Sequence, residues 1–154
     1  MAYFEYGESG NTEDTGEQIM VFSNLSEEEW QVIARNAQSI SFSPGEVLLK
    51  EGEVDDAVYI VVSGQVEVVS ERTFGRIKRI ATIDEGSVYG EVAFFDSQPR
   101  SASVRAVTEG QVLRISHKSF EKISAWNPKL AQQFLLDLGH ILAFRFRSDF
   151  PYKV

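Results

Sequence analysis

The sequence predicts a mainly β domain with flanking helices, an antiparallel sandwich or jelly roll, on three observations. From about residue 38 to 116 the chain is a series of short runs rich in Val, Ile and Phe, cut by Pro44-Gly45, Gly52, Ser63-Gly64, Gly75, Gly86 and Gly110. On either side of this stretch the apolar spacing is that of helices. A chain of 154 residues, 43% of them hydrophobic, has room for one core and not for a second full domain.

The elements follow in order. Residues 1–20 are polar and acidic and carry Gly7, Gly10 and Gly16. Such a segment cannot bury enough apolar surface to offset its ordering entropy, so a disordered tail is expected, with the domain proper at 21–150. Ser26-Glu27-Glu28-Glu29 before Trp30, Val32, Ile33 and Ala37 reads as a capping box opening a short amphipathic helix. About eight strands come next, among them Ser39 to Phe42, Val47 to Lys50, Ala57 to Val62, Gln65 to Ser70 and Ile77 to Ile83, with two more after Arg100. So many short strands must close on one another to protect their edges. Arg72, Arg76, Lys78 and Arg79 around Gly75 read as a solvated hairpin edge.

From about 117 to 150 the chain returns to helix. Ser116 caps a segment with Phe120 and Ile123, and Asn127-Pro128 offers a second cap with Pro at the first helical position. The last helix carries one apolar row at Leu130, Phe134, Leu138 and Ile141 and another at Ala131, Leu135, Leu142 and Phe146, before Pro151. At about 1.5 Å per residue it would form a rod of roughly 30 Å, longer than a small barrel covers, and Gly139 would permit close helix approach. A homodimer through this helix is therefore expected.

Composition narrows the function classes. The formal net charge of -8 repels a long polyanion, so DNA binding by this chain is not expected, although one local basic group can still hold a small anion. Glu5, Glu8, Glu13, Asp14 and Glu17 crowd the opening, and no Lys or Arg precedes Arg35. With no cysteine there are no disulfides or thiolate metal sites, and a reducing, cytoplasmic setting is the natural expectation. No run reaches the eighteen or so apolar residues of a membrane span, and no secretory leader pattern opens the chain, so no membrane partner is expected. His117 and His140 are too few for a multi-histidine metal site and fall on separate helices. With no nucleophile-base pair and no metal cluster, an enzyme is not expected.

The chemistry concentrates in Gly86-Ser87-Val88-Tyr89-Gly90-Glu91-Val92-Ala93-Phe94-Phe95 and the following Asp96-Ser97-Gln98-Pro99-Arg100-Ser101-Ala102-Ser103-Val104, which interrupts the strands. A Gly lets backbone approach a ligand, a helical turn offers free amides to an anion, and the planar fork of Arg100 matches phosphate oxygens. Glu91 is a poor neighbour for phosphate but a strong acceptor for a sugar hydroxyl. Together they suit a sugar phosphate.

Gly-Glu-Val-Ala-Phe-Phe followed by Pro-Arg-Ser-Ala-Ser-Val resembles the phosphate-binding cassette of cyclic nucleotide-binding domains, the type found in catabolite activator protein and protein kinase A regulatory subunits. Pro44-Gly45-Glu46, Glu51-Gly52-Glu53, Asp56, Tyr59, Ser63-Gly64 and Gly86 fall where that family places its turns, and the resemblance covers about residues 22 to 146. It implies a jelly-roll β-barrel (a double-stranded β-helix) with an N-terminal helix and C-terminal helices, the last acting as a lid. Carried over, it puts Glu91 on the ribose 2′-hydroxyl, Arg100 on the cyclic phosphate, Gly90, Val92 and Ala93 at the backbone around both, and Ser101 adding its amide or hydroxyl. Ser101 leaves the base open, so the implied ligand is cAMP or cGMP, with no cofactor. Phe134, Leu138 and Arg145 are lid candidates by position.

The function this implies is a regulatory sensor, in which ligand binding in the barrel moves the last helix. Two other readings stay open. One is a ligand-free scaffold dimerising through Leu135, Leu138 and Leu142, with Arg100 and Glu91 neutralising each other as a buried pair. The other is a sensor fragment of a larger transcription factor, channel or kinase-linked protein. A helix-turn-helix after the long helix would mark the transcription factor, and only four residues follow Phe150. The downstream effector has no signature in the sequence.

Overall fold

The computed structural model describes residues 24–73 and 76–148. The acidic segment expected to be a tail, the glycine of the predicted hairpin and Pro151 lie outside the described residues. Helix α1 (Glu27–Asn36) opens with the capping box: Ser26 Oγ accepts from the Glu29 amide and the Glu29 carboxylate accepts from the Ser26 amide, each at 3.2 Å. Two of the otherwise unsatisfied groups at the helix start are thus paired.

Eight strands follow: β1 (Gln38–Phe42), β2 (Val47–Leu49), β3 (Val58–Ser63), β4 (Val66–Thr73), β5 (Arg76–Ile83), β6 (Val88–Tyr89), β7 (Ser103–Ala106) and β8 (Gly110–Ile115). They form two antiparallel four-stranded sheets, ordered β1-β8-β3-β6 and β2-β7-β4-β5. This is the jelly-roll arrangement the sequence predicts, with one difference. The sheets do not close into a barrel: their ladders end at β1 and β6 in one and at β2 and β5 in the other. Edge strands β2 and β6, only three and two residues long, offer few backbone groups for pairing.

Strand β3 shows why the runs of Val and Ile are uninterrupted here. Val58 and Ile60 face the helices, whereas Tyr59 and Val61 face the opposite sheet, and all four are buried. A strand covered on both faces loses the polar alternation of a half-exposed one. The core accordingly has two parts. Phe42, Leu49, Val66, Val68, Ile83, Tyr89 and Val104 fill the space between the sheets. Ile33, Val88, Phe94, Ile123 and the inner row of the last helix fill the space between sheet and helices.

Three helices complete the fold: α2 (Glu91–Asp96), α3 (His117–Trp126) and α4 (Pro128–Ser148). Ser116 Oγ accepts from the Ser119 amide and Asn127 Oδ1 from the Leu130 amide, both at 3.1 Å, so α3 and α4 start at the predicted caps. Of the two apolar rows on α4, Leu130, Phe134, Leu138 and Ile141 are buried, as is Ala131. Leu135, at 39% exposed, and Phe146, at 60%, face outward. Leu138 therefore belongs to the core and not to an outer dimer seam, because α4 turns that row onto the sheet. Among the described residues no helix is long and apolar enough to cross a membrane.

Candidate functional site

Strand β6 ends at Tyr89, and the chain reverses into α2 through Gly90, whose φ of +79° is left-handed. A side chain here would be strained by the backbone, and its Cβ would lie 2.9 Å from Arg100 Nη1 and 3.2 Å from the Ala57 carbonyl. Gly90 thus lets the guanidinium pack directly against backbone. The turn points Glu91 inward at the first position of α2 and brings the chain back to Arg100 just before β7.

Gly90, Glu91, Val92, Ala93, Arg100 and Ser101, the six residues expected to hold a ligand, line one cavity of about 210 Å³. Leu49, Val68, Tyr89, Ala102 and Val104 complete its apolar wall at the end of the inter-sheet core. Within this lining Glu91, Ala93 and Arg100 are buried, whereas Val92 and Ser101 are exposed at the mouth. By helix geometry the amides of the first turn of α2 have no acceptor within the helix.

The guanidinium of Arg100 is built into the wall. Its Nη1 donates to the Gly90 carbonyl at 2.9 Å, and its Nη2 donates to the Ala57 carbonyl at 2.7 Å and to Asp55 Oδ2 at 3.2 Å. Its Nε has no hydrogen-bond partner among the described residues. Asp55 is a hub, accepting also from the Tyr59 hydroxyl at 2.8 Å and from Arg114 Nη2 at 2.7 Å. Burial pushes the Asp55 carboxyl up, but the Tyr59 hydrogen bond, the charge and hydrogen bond of Arg114 and the hydrogen bond of Arg100 outweigh it, so its pKa lies below the ordinary value.

Glu91 is paired elsewhere. Its Oε1 accepts from Arg145 Nη1 of α4 at 2.7 Å, in an ion pair whose side chains are 4% and 6% exposed. Arg145 Nη2 also donates to the Val88 carbonyl at 2.8 Å. The two cassette residues therefore do not neutralise each other, as the scaffold reading expects: Arg100 is tied to the sheet side and Glu91 to the helix side. Phe94 adds a second link from α2, packing edge-on against Phe120 of α3 and Phe134 of α4. His117 Nε2 donates to the Phe94 carbonyl, and its Nδ1 lies 3.7 Å from Asp56. Sequence reasoning missed Asp55 and Arg114, which stand 45 and 14 positions from Arg100 with no local motif joining them. Arg145 was visible only as one of three lid candidates.

A family model for the cyclic nucleotide-binding domain matches residues 39–126, from the start of the sheets to the end of α3. The chain belongs to the cyclic nucleotide-binding domain family. Its relatives are regulatory proteins by name. Over 107 residues, 70% of this chain, it is 35% identical to the cAMP-dependent protein kinase regulatory subunit of Emericella nidulans, and the match spans 25% of that protein. Over 127 residues, 82% of this chain, it is 25% identical to a CRP-like cAMP-activated global transcriptional regulator of Mycobacterium tuberculosis, spanning 55% of that protein. This cyclic nucleotide-binding domain thus corresponds to a quarter to about half the length of these relatives. Among solved structures, a cyclic nucleotide-binding domain from Methylobacillus flagellatus superimposes with a TM-score of 0.74 at 28% identity, covering 88% of this chain and 79% of that one.

Proposed function

We propose that this domain is a cyclic-nucleotide sensor, not an enzyme, which converts binding of cAMP or cGMP into movement of α4. The observation that carries the reading is that Arg100 and Glu91 line the same cavity while Glu91 is ion-paired to Arg145 on α4. In this reading the cyclic phosphate lies against Arg100, the ribose 2′-hydroxyl donates to Glu91, and Gly90, Val92, Ala93 and Ser101 surround both. A ribose hydroxyl arriving at Glu91 must share the carboxylate with Arg145, so ligand and α4 act on one group. Such coupling requires α4 positions that differ in ligand affinity, and about 1–3 kcal/mol is the usual scale. The absence of cysteine fits a cytoplasmic setting for such a sensor.

The test is calorimetric titration of the chain, freed of ligand by unfolding and refolding, with cAMP and with cGMP. Binding at micromolar or tighter Kd, weakened by about 2–5 kcal/mol in Arg100→Ala, supports the sensor, and the tighter of the two identifies the base. No heat with either nucleotide, in a folded protein, favours the scaffold.

A homodimer through α4 accompanies this reading. Leu135, Gly139, Leu142 and Phe146 are spaced four, three and four residues apart on the outward side, and a Cβ at Gly139 would meet nothing within 4 Å. That spacing suits the same helix of a second copy packing along the seam. Sedimentation velocity of the wild type and of Leu135→Glu tests it: a dimer that the charge disrupts supports the seam, and a monomeric wild type removes it.

A further inference from the structure

Tyr89, the last residue of β6, lines the cavity beside the cassette. Strand pairing sets it opposite Tyr59, and the two rings stack with centroids 4.8 Å apart and planes 6° from parallel. Their hydroxyls differ in what they do. The Tyr59 hydroxyl donates to Asp55 and accepts from Arg114 Nε at 3.3 Å. The Tyr89 side chain is 1% exposed and lines the cavity, yet its hydroxyl has no hydrogen-bond partner among the described residues.

Among the described residues, one other buried side-chain donor in the cavity wall shares that condition, the Nε of Arg100. The remaining nitrogens of that guanidinium each donate to the protein: Nη1 to Gly90, and Nη2 to Ala57 and Asp55. Burial pushes the Tyr89 phenol well above the usual tyrosine range; the neighbouring Tyr59 adds to that and the charge of Arg100 opposes it. The hydroxyl is therefore a neutral donor near a fixed cation. Buried polar groups are almost always satisfied, and two donors left over in one wall, one of them charged, call for an anionic acceptor.

We propose that the Tyr89 hydroxyl donates a hydrogen bond to an exocyclic phosphate oxygen of the bound cyclic nucleotide, beside Arg100, and so helps set the affinity of the site. This rests on the cyclic-nucleotide reading above. It makes Tyr89 a specificity residue for phosphate, whereas Tyr59 is a positioning residue that orients Asp55 behind Arg100.

The experiment compares wild type, Tyr89→Phe and Arg100→Ala by calorimetric titration with the preferred nucleotide and by urea unfolding without it. The phenyl ring keeps the stack on Tyr59 and removes only the unsatisfied oxygen. Tyr89→Phe is therefore expected to be as stable as wild type or more so, and to bind about ten-fold more weakly. The two diastereomeric phosphorothioate analogues refine the assignment, since sulfur is a weak acceptor and replaces one exocyclic oxygen at a time. The ten-fold penalty should vanish with one diastereomer and persist with the other.

Affinity within two-fold of wild type in Tyr89→Phe overturns the proposal, and so does a parallel loss of stability and affinity, which would mark a structural hydroxyl. An equal penalty with both diastereomers places the contact on sugar or base and overturns it as well. In all three cases the loss in Arg100→Ala still upholds the cyclic-nucleotide reading. A wild type that binds neither nucleotide removes both.

Discussion

Arg100 and Arg145 both reach the cassette, and both are 5% exposed, but they are held by different kinds of surroundings. Arg100 rests on two backbone carbonyls of the sheet side and shares Asp55 with Arg114 and Tyr59, an acid whose side chain is 20% exposed. Arg145 arrives from α4, 54 residues beyond the carboxylate it meets, and forms with Glu91 an ion pair shielded from water on both sides. The difference is one of reserve. If Arg100 is lost, Asp55 keeps Arg114, Tyr59, the Ala57 amide and some solvent; if Arg145 is lost, Glu91 loses its ion-pair partner in the interior. The first arrangement supports a rigid wall, and the second makes α4 a participant in whatever happens at Glu91.

The sharpest way to break this contrast is Arg145→Met. Stranding a buried carboxylate costs about 3–5 kcal/mol, so urea unfolding should show a loss of that size, much of it regained in the Glu91→Gln, Arg145→Met double variant, where no charge remains. A single variant as stable as the wild type would show that Glu91 finds water or another donor. Next in size is Leu138→Ala, expected to cost about 2–5 kcal/mol through the cavity it opens under α4 while leaving the ion pair in place. If both variants loosen α4 equally, as read by amide hydrogen exchange along 130–145, packing and pairing act as one unit; unequal loosening separates them.

Arg100→Ala tests the other side. Because Asp55 retains Arg114 and Tyr59, the expected loss in stability is only about 1–2 kcal/mol, smaller than for Arg145→Met, even as ligand affinity falls. A reversed order of the two stabilities would refute the contrast. The smallest effect concerns acid. The Asp55 pKa is lowered on folding, so its contribution to stability is present above its unfolded value of about 3.9 and is lost as pH falls through the lower folded value. The stability difference between wild type and Asp55→Asn should shrink below about pH 4 in a series of urea titrations. A difference that does not change with pH would mean that the carboxylate gains nothing from its donors.

Much of this architecture is readable residue by residue. The Ser26 capping box, the Ser116 and Asn127 caps and the inner row of α4 lie where period and cap chemistry put them. The five strands bounded from Val-, Ile- and Phe-rich runs are present within three residues of their expected ends, and the two expected after Arg100 are β7 and β8. The eighth, Val88-Tyr89, was hidden because two residues carry no period and because it lies inside the cassette. The open edges of the sheets were not legible either, since closure depends on which strands reach one another across the inter-sheet space. Gly90, Glu91, Val92, Ala93, Arg100 and Ser101, which line one cavity, are legible as a group because they are nearly contiguous. Asp55, Arg114 and the role of Arg145 were not.

The sequence by itself determined the class of fold, the position of the cassette and the residue types that suit a sugar phosphate, because each depends on neighbours within a few positions. Local backbone preference, two- and 3.6-residue periods and turn chemistry all act at that range. Only the tertiary structure decided the partners: Arg100 with Asp55 across 45 positions, Arg145 with Glu91 across 54 and Arg114 with Asp55 across 59. An ion pair is chosen by distance in space and by how far water is excluded, and both quantities arise only when α4 packs onto the sheet and β3 brings Asp55 beside the cassette.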